Sequence, residues 1–324
     1  MEYVTLGKTA LRVSVAGLGC GGFSRLGLGT GRSEAEAIAL IHLALDLGIN
    51  LFDTASAYGT EAVLGKAIKG VARDKVVVAT KAWIPRGQGR AAAERAVRSL
   101  EGSLRRLGTD YVDLFQLHGI APDAYDQALE AIAPALLKEK AKGKLRHLGV
   151  TETASDDPEH AMLRRAVEDG AWDAVMVAFH MMHQNARTTV FPRTMANRVG
   201  TLVMFAVRNI FSRPQRLAAA LRELTASGKL PRWLALAPHP LGFLVHDGGA
   251  GNITEAAYRF ARHEPGVDVV LFGTGDPHHL RANIAALLAP PLPRADRLTL
   301  TKLFGHLSGV GLDPPDSMPG PGTP

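Results

Sequence analysis

A single cysteine, Cys20, is all the thiol this sequence has, so no disulfide can close within the chain, and a reducing compartment such as the cytoplasm fits it. Cys20 lies in an apolar, glycine-rich segment and is expected to be buried and inert. Aromatic residues make up only 6% of the 324 residues, and no block of five or more like charges occurs. A nucleic-acid binder concentrates basic residues on one surface. Here 37 Lys and Arg against 31 Asp and Glu leave a net charge of +6, scattered through helical patterns. They read as solvated helix faces, and nucleic acid is not an expected partner. No uninterrupted apolar run of about 18 residues is present, so no membrane-spanning helix is expected. The opening Met1-Glu-Tyr lacks a basic stretch followed by an apolar one, so no signal peptide is expected.

What the chain does have is 46% hydrophobic residues in a regular alternation of short apolar runs and helical patterns. Two strand-like pieces, 3–6 and 11–13, joined through Gly7-Lys-Thr, read as a hairpin. Core strands are expected at 15–19, 49–52, 76–79, 112–117, 145–150, 174–178, 202–205 and 267–272. Helices are expected at 35–47, 61–68, 91–107, 124–141, 159–168, 187–197, 254–263 and 277–288. Ser33 followed by Glu36 is a helix-start signature for the first of them. Strands alternating with helices indicate a parallel sheet. Their continuous apolar runs indicate burial on both faces, and eight such units suggest closure into an α/β (β/α)8 TIM barrel. An insert at 208–252 is expected to hold one helix, 214–227, and a Pro/Gly-rich loop, and 298–307 reads as a short packed helix. The barrel is assigned to 1–308, and 309–324, rich in Gly and Pro, to a disordered tail.

In such a barrel, residues at the C-terminal ends of the strands converge on one face. The stretch Asn50-Leu-Phe-Asp-Thr-Ala-Ser-Ala-Tyr-Gly59 places Asp53 and Tyr58 there, with small residues between them. Val76-Val-Val-Ala-Thr-Lys81 ends on Lys81, and Val112-Asp-Leu-Phe-Gln-Leu-His118 on His118. A free tyrosine titrates near pH 10, and a neighbouring ammonium favours the phenolate. Asp53 can hold Lys81 charged and in position, and His118 can orient a substrate oxygen. Together they make a proton-transfer device for a carbonyl or an alcohol. The device supplies no electrons, so redox work needs a hydride carrier.

The chain resembles the aldo-keto reductase family over roughly residues 2 to 290. The resemblance lies in Gly48-Ile-Asn-Leu-Phe-Asp-Thr-Ala-Ser-Ala-Tyr-Gly59, Glu61-Ala-Val-Leu-Gly65, Thr80-Lys81, Asp110-Tyr-Val-Asp-Leu-Phe-Gln-Leu-His118, Gly143-Lys-Leu-Arg-His-Leu-Gly-Val150 and Gly273-Thr-Gly-Asp-Pro-His-His-Leu-Arg-Ala-Asn283. It implies a nicotinamide cofactor and reduction of a small carbonyl compound, or oxidation of the corresponding alcohol. Tyr58 is then the general acid, Lys81 and Asp53 tune it, and His118 places the carbonyl.

The resemblance also implies cofactor positions. Gly21 and Gly22 fall where the backbone passes the cofactor, and Thr151 where a hydroxyl touches the nicotinamide amide. Glu152 replaces the family's frequent Asn and Met176 its frequent Gln, which weakens the expected amide clamp. Phe205 stands where an aromatic stacks on the nicotinamide, and Arg208 where the pyrophosphate is met. Gly273, Thr274, Gly275, His279 and Asn283 fall in the segment for the adenosine end, with helix-terminal amides expected to be available for phosphate. The basic residue that grips a 2′-phosphate is missing there. His279 sits where Arg is common, and Arg281 is a substitute. The expectation is NADP, with NAD as the alternative. Phe23, Trp83 and Phe179 are expected to wall the substrate pocket. His180-Met-Met-His183, without a carboxylate partner, does not make a metal site. Two other readings compete: a cofactor-binding regulatory or scaffold barrel, supported only by Glu152 and Met176, and a Lys81 Schiff-base aldolase.

Overall fold

The structure is a computed structural model that describes residues 1–87 and 89–312. Strands β1 (Tyr3–Thr5) and β2 (Arg12–Ser14) pair antiparallel, Val4 opposite Val13. The barrel strands are β3 (Ala16–Gly19), β4 (Leu51–Asp53), β5 (Val77–Ala82), β6 (Val112–Ile120), β7 (Leu145–Glu152), β8 (Ala174–Ala178), β9 (Gly200–Met204) and β10 (Val269–Phe272). They pair parallel in chain order, and β10 closes the ring against β3 with Val270 beside Ala16.

Side-chain parity divides the interior in two. Successive strand residues face opposite sides, and Leu51, Val77, Ala79, Leu114, Ala174, Met176, Leu202 and Val269 fill the barrel. Leu6, Leu11 and Val13 of the hairpin region join them and stopper the end where the strands begin. The alternate residues, among them Phe52, Val78, Phe115, Leu148, Val150, Val175, Val177 and Val203, pack outward under the helices. A fully buried leucine contributes about 1.5–3 kcal/mol, so these two layers carry most of the stability.

The helix Glu34–Asp46 starts on the expected capping box: Ser33 Oγ accepts from Glu36 N, and Glu36 reaches back to Ser33 N. The motif around Glu61 has a mechanical explanation. Buried Glu61, opening the helix Glu61–Ile68, accepts from Thr80 on β5 at 2.6 Å and from Arg106 at 2.6 Å. A Cβ on Gly65 would lie 2.3 Å from Leu107 O, so that helix sits tightly on its neighbour.

Several elements differ from expectation. The helix expected at 124–141 is interrupted by a π stretch, Ala128–Ile132, before Ala133–Ala141. Pro134 has no N–H for the i→i−4 ladder, so the hydrogen-bond spacing widens just before it. The helix expected at 187–197 breaks at Val190 into Ala186–Thr189 and Phe191–Asn197, with Pro192 opening the second. The helix expected at 159–168 shortens to Ala161–Ala166, because Asp157 caps the amides of Ala161 and Met162. Gly200, expected before the strand, is its first residue. The insert holds more than one helix: Asn209–Ser212, Pro214–Ala226 and Arg232–Leu236. Leu298 lies inside the final helix Arg294–Phe304. The tail expected from 309 onward starts as packed chain: Gly309 N donates to His183 Nδ1, and Leu312 is buried beside Ala154 and Ala178. Residues 313–324 lie outside the described residues. No helix among the described residues is long and apolar enough to cross a membrane.

Candidate active site

Inward parity carries Asp53 to the end of β4, Lys81 to β5, and Gln116 and His118 to β6, with Lys81 in register with Gln116. Asp53 is the last residue of its strand rather than the first of the turn. Tyr58 ends a single 3-10 turn, Ser56–Tyr58, after which Gly59 takes a left-handed φ of 72°. The hydroxyls of Thr54 and Thr60, both buried, meet at 3.0 Å and pin the base of that loop.

Lys81 is 1% exposed, and its ammonium has three partners: Asp53 Oδ1 at 2.7 Å, Asp53 Oδ2 at 2.6 Å and Thr54 O at 2.8 Å. These contacts fix the ammonium at the end of β4. Its nitrogen lies 5.1 Å from the centre of the Tyr58 ring. Tyr58 Oη is 3.3 Å from His118 Nε2, with the two rings edge to face.

Burial would depress the Lys81 pKa, but Asp53 and then Tyr58 hold it above the ordinary lysine range. Burial also moves Tyr58 up, and it outweighs the opposing pull of Lys81. The expected acidified phenol is therefore not found: Lys81 moderates a rise caused by desolvation. Burial and then the Lys81 charge push His118 down to about 3, so it is neutral at physiological pH. Cys20 is buried, and burial raises its thiol pKa.

A cavity of about 1450 Å³ opens from Tyr58 and Asp53 and runs past the ends of β8, β9, β10 and β3 to Asn283 and Ala289. Gly21, Gly22, Met176, Phe205, Arg208, Gly273, Thr274, Gly275, His279 and Asn283 line it. The reason for Gly21 differs from expectation. A Cβ there would lie 2.4 Å from Tyr58 Cε2, so the missing side chain makes room for the Tyr58 ring. Phe205 holds a φ of 70°, a strained value for a bulky residue, with the Arg208 guanidinium 4.0 Å above its ring.

Other expected residues are not brought to the cavity. Thr151 is buried, and its hydroxyl accepts from Gly119 N at 2.7 Å, bracing the β6 end that carries His118. Glu152 has outward parity, shared with Leu148 and Val150. Its carboxylate accepts from Ala178 N at 2.7 Å and pairs with His160 Nδ1 at 2.7 Å. His160 in turn reaches Asn185 at 2.9 Å. Glu152 is thus not an amide clamp. Phe179 follows outward-facing Val177 and is buried between Phe260 and Phe191, so it does not wall the substrate pocket. Trp83, 52% exposed, follows β5 and is not among the lining residues of this cavity, whereas Phe23, 51% exposed, lines it. The amides opening the helix Pro277–Leu288 are not available: Asp276 Oδ1 accepts from His278 N and His279 N. Among the described residues no group of three or more His, Cys, Asp or Glu could hold a metal ion.

Three residues without an assigned role stand in this machinery. Gln116 Nε2 approaches Asp53 Oδ1 at 3.4 Å, and Asp276 and Arg32 line the far end of the cavity. Strand parity would have found Gln116. Arg32 lies on a loop with no periodic pattern to mark it.

The family model described as "Aldo/keto reductase family" matches residues 17–303. The L-galactose dehydrogenase of Arabidopsis thaliana is 31% identical over 322 residues, covering 96% of this chain and 95% of that protein. The holo form of an aldo-keto reductase from Bacillus halodurans superposes with a TM-score of 0.69 at 24% identity, covering 94% of this chain and 96% of that one. An aldo/keto reductase from Klebsiella pneumoniae, solved with NADP and acetate, gives a TM-score of 0.67 at 24% identity over 97% of this chain and 96% of its own. The two structural likenesses speak to the fold.

Proposed function

Because this chain belongs to the aldo/keto reductase family, we propose that it is an NAD(P)-dependent oxidoreductase interconverting an aldehyde or ketone with the corresponding alcohol. The observation that carries this reading is one cavity with Tyr58, hydrogen-bonded to His118, at one end and a glycine-lined cleft at the other. The cleft fits a dinucleotide. Its volume of about 1450 Å³ exceeds that of an ordinary small-ligand pocket. Gly19, Gly21 and Gly273 approach without side chains, Phe205 offers an aromatic face, and Arg208 is the cation next to it. Thr274, Gly275, His279 and Asn283 would hold the adenosine end. The nicotinamide supplies the hydride when bound.

The chain's own residues handle the proton. Tyr58, kept protonated by burial, donates it to the oxygen during reduction and takes it back during oxidation. Neutral His118 has a single N–H; carried on Nε2, which meets the Tyr58 hydroxyl at 3.3 Å, it would be shared with the substrate oxygen and fix that oxygen's approach to Tyr58. Lys81 lends its positive charge to the phenolate left behind, and Asp53 and Thr54 hold that charge in place. Gln116 and Thr151 are positioning residues, acting through Asp53 and through the β6 backbone. Phe23 lines the substrate side.

Glu152 was one of two supports for a non-catalytic scaffold barrel, and it faces away from the cavity. A Schiff-base lysine needs a neutral amine, and the charged, fully hydrogen-bonded Lys81 is poorly placed for that role. The test is fluorescence titration with NADPH and NADH, followed by a screen of aldehydes, ketones and alcohols. Aldoses come first because of the Arabidopsis relative. Expected is dinucleotide binding with turnover of at least one carbonyl–alcohol pair; tight binding with no turnover on any substrate would favour the scaffold reading.

A further inference from the structure

We propose that the segment 308–312, which follows the last helix, is a strap that holds Phe205 in place from behind, making Leu312 and His183 positioning residues for dinucleotide binding. The inference rests on the reading above that the cavity takes a dinucleotide. The strap itself is not part of the cavity lining.

Independent contacts tie the strap to the mouth of the barrel. Ser308 Oγ donates to Pro158 O at 3.1 Å, and Gly309 N donates to His183 Nδ1 at 3.2 Å. Gly311 holds a φ of 68°, and a Cβ there would lie 2.9 Å from Ile210 Cγ2, so the backbone is pressed onto the short helix Asn209–Ser212. Leu312, 3% exposed, packs with Ala154 and Ala178 and against Met204 and Phe205. His183 can accept from Gly309 because it is neutral. Burial, and then His180 and His160, push it down to about 2, so the latch stays shut through neutral pH.

Phe205 needs that support. Its φ of 70° is costly for an aromatic residue, and such a conformation persists only where the surroundings over-determine it. Phe205 and Met204 both line the open cleft, so the packing that holds them must come from the opposite side. Leu312 supplies it. The Ile210 contact fixes the chain just beyond Arg208, whose guanidinium lies 4.0 Å from the centre of the Phe205 ring. The strap thus sets the wall that Phe205 and Arg208 present to a ligand. Truncating Leu312 leaves a cavity behind Phe205 and lets the strained backbone relax into it.

The test measures NADPH affinity by fluorescence titration of the full chain, with melting temperature alongside. Leu312→Ala should weaken NADPH binding about tenfold, and Leu312→Val should fall in between. His183→Leu, which removes the acceptor for Gly309 N, should weaken it too, and His183→Asn, which keeps an acceptor, should recover most of the loss. Leu307→Ala is the control: Leu307 is also 3% exposed but belongs to the main core, so melting should fall with affinity unchanged. In a Phe205→Ala background, adding Leu312→Ala should change affinity by less than about twofold, because Leu312 acts through Phe205. An affinity in Leu312→Ala within about twofold of the parent, or an equal loss in Leu307→Ala or in the Phe205→Ala background, overturns the inference and leaves the oxidoreductase reading standing. Binding of neither NADPH nor NADH by the parent overturns both.

Discussion

The Lys81 ammonium lies 5.1 Å from the centre of the Tyr58 ring while it contacts both Asp53 oxygens and Thr54 O. Lys81 therefore acts on the phenol chiefly through its charge, from a position fixed by a buried carboxylate. Removing Asp53 should leave a buried, uncompensated cation. Asp53→Ala is expected to lower the unfolding free energy by about 3–5 kcal/mol, with Asp53→Ala/Lys81→Met recovering part of the loss. Urea denaturation of the two singles and the double measures the coupling, and strict additivity would contradict it.

Tyr58→Phe keeps the ring and its packing and removes only the transferable proton. Dinucleotide affinity should be unchanged while turnover drops by about 10²–10⁴, the range of general acid–base contributions. Steady-state kinetics beside a fluorescence titration check both halves, and full turnover would end the proton-transfer mechanism.

Gly21→Ala places a methyl group 2.4 Å from the Tyr58 ring. The ring must shift, and a shift of about 1 Å at a reacting group can cost about 10² in rate. The kinetic loss should appear with only a modest change in melting temperature. Parental rates in a folded Gly21→Ala protein would show that the ring has room to spare.

Much of this site is written in strand parity. Leu51, Val77, Ala79 and Leu114 point inward, so Asp53, Lys81, Gln116 and His118, each an even number of residues further on, must also point inward. The same count turns Glu152 and Phe179 outward, and both expected contacts fail for that reason. The helix boundaries that moved, at Pro134 and Pro192, follow from missing amide donors that a periodic apolar pattern does not register. Arg32 and Asp276 left no such trace. They are separated by 244 positions, and only closure of the barrel brings them to 3.2 Å.

The sign of the Tyr58 shift fixes a pH dependence. Burial moves the phenol above its usual value, so the proton-donating form persists through neutral pH and is lost only above the ordinary tyrosine range. Carbonyl reduction should be flat from roughly pH 6 to 9, and alcohol oxidation should climb with pH over the same interval. His118, pushed down to about 3, adds no limb in that window. A reduction profile falling near pH 7 would contradict the raised phenol.

Glu152→Gln separates a structural role from a ligand role. It removes the partner of a buried His160, at a cost of about 3 kcal/mol in stability, while dinucleotide affinity should stay within about threefold because the side chain does not reach the cavity. Calorimetric melting beside a binding titration reads both; a large loss of affinity in a stably folded variant would return Glu152 to the cofactor.

The seam between β10 and β3 has a temporal consequence. Val270 pairs with Ala16, and the far wall of the cleft ends near Ala289. A chain emerging from the ribosome therefore carries Asp53, Tyr58, Lys81 and His118 long before the wall that faces them exists. Contacts of such long sequence separation fold slowly, so the growing polypeptide has no competent pocket until almost its whole length is available.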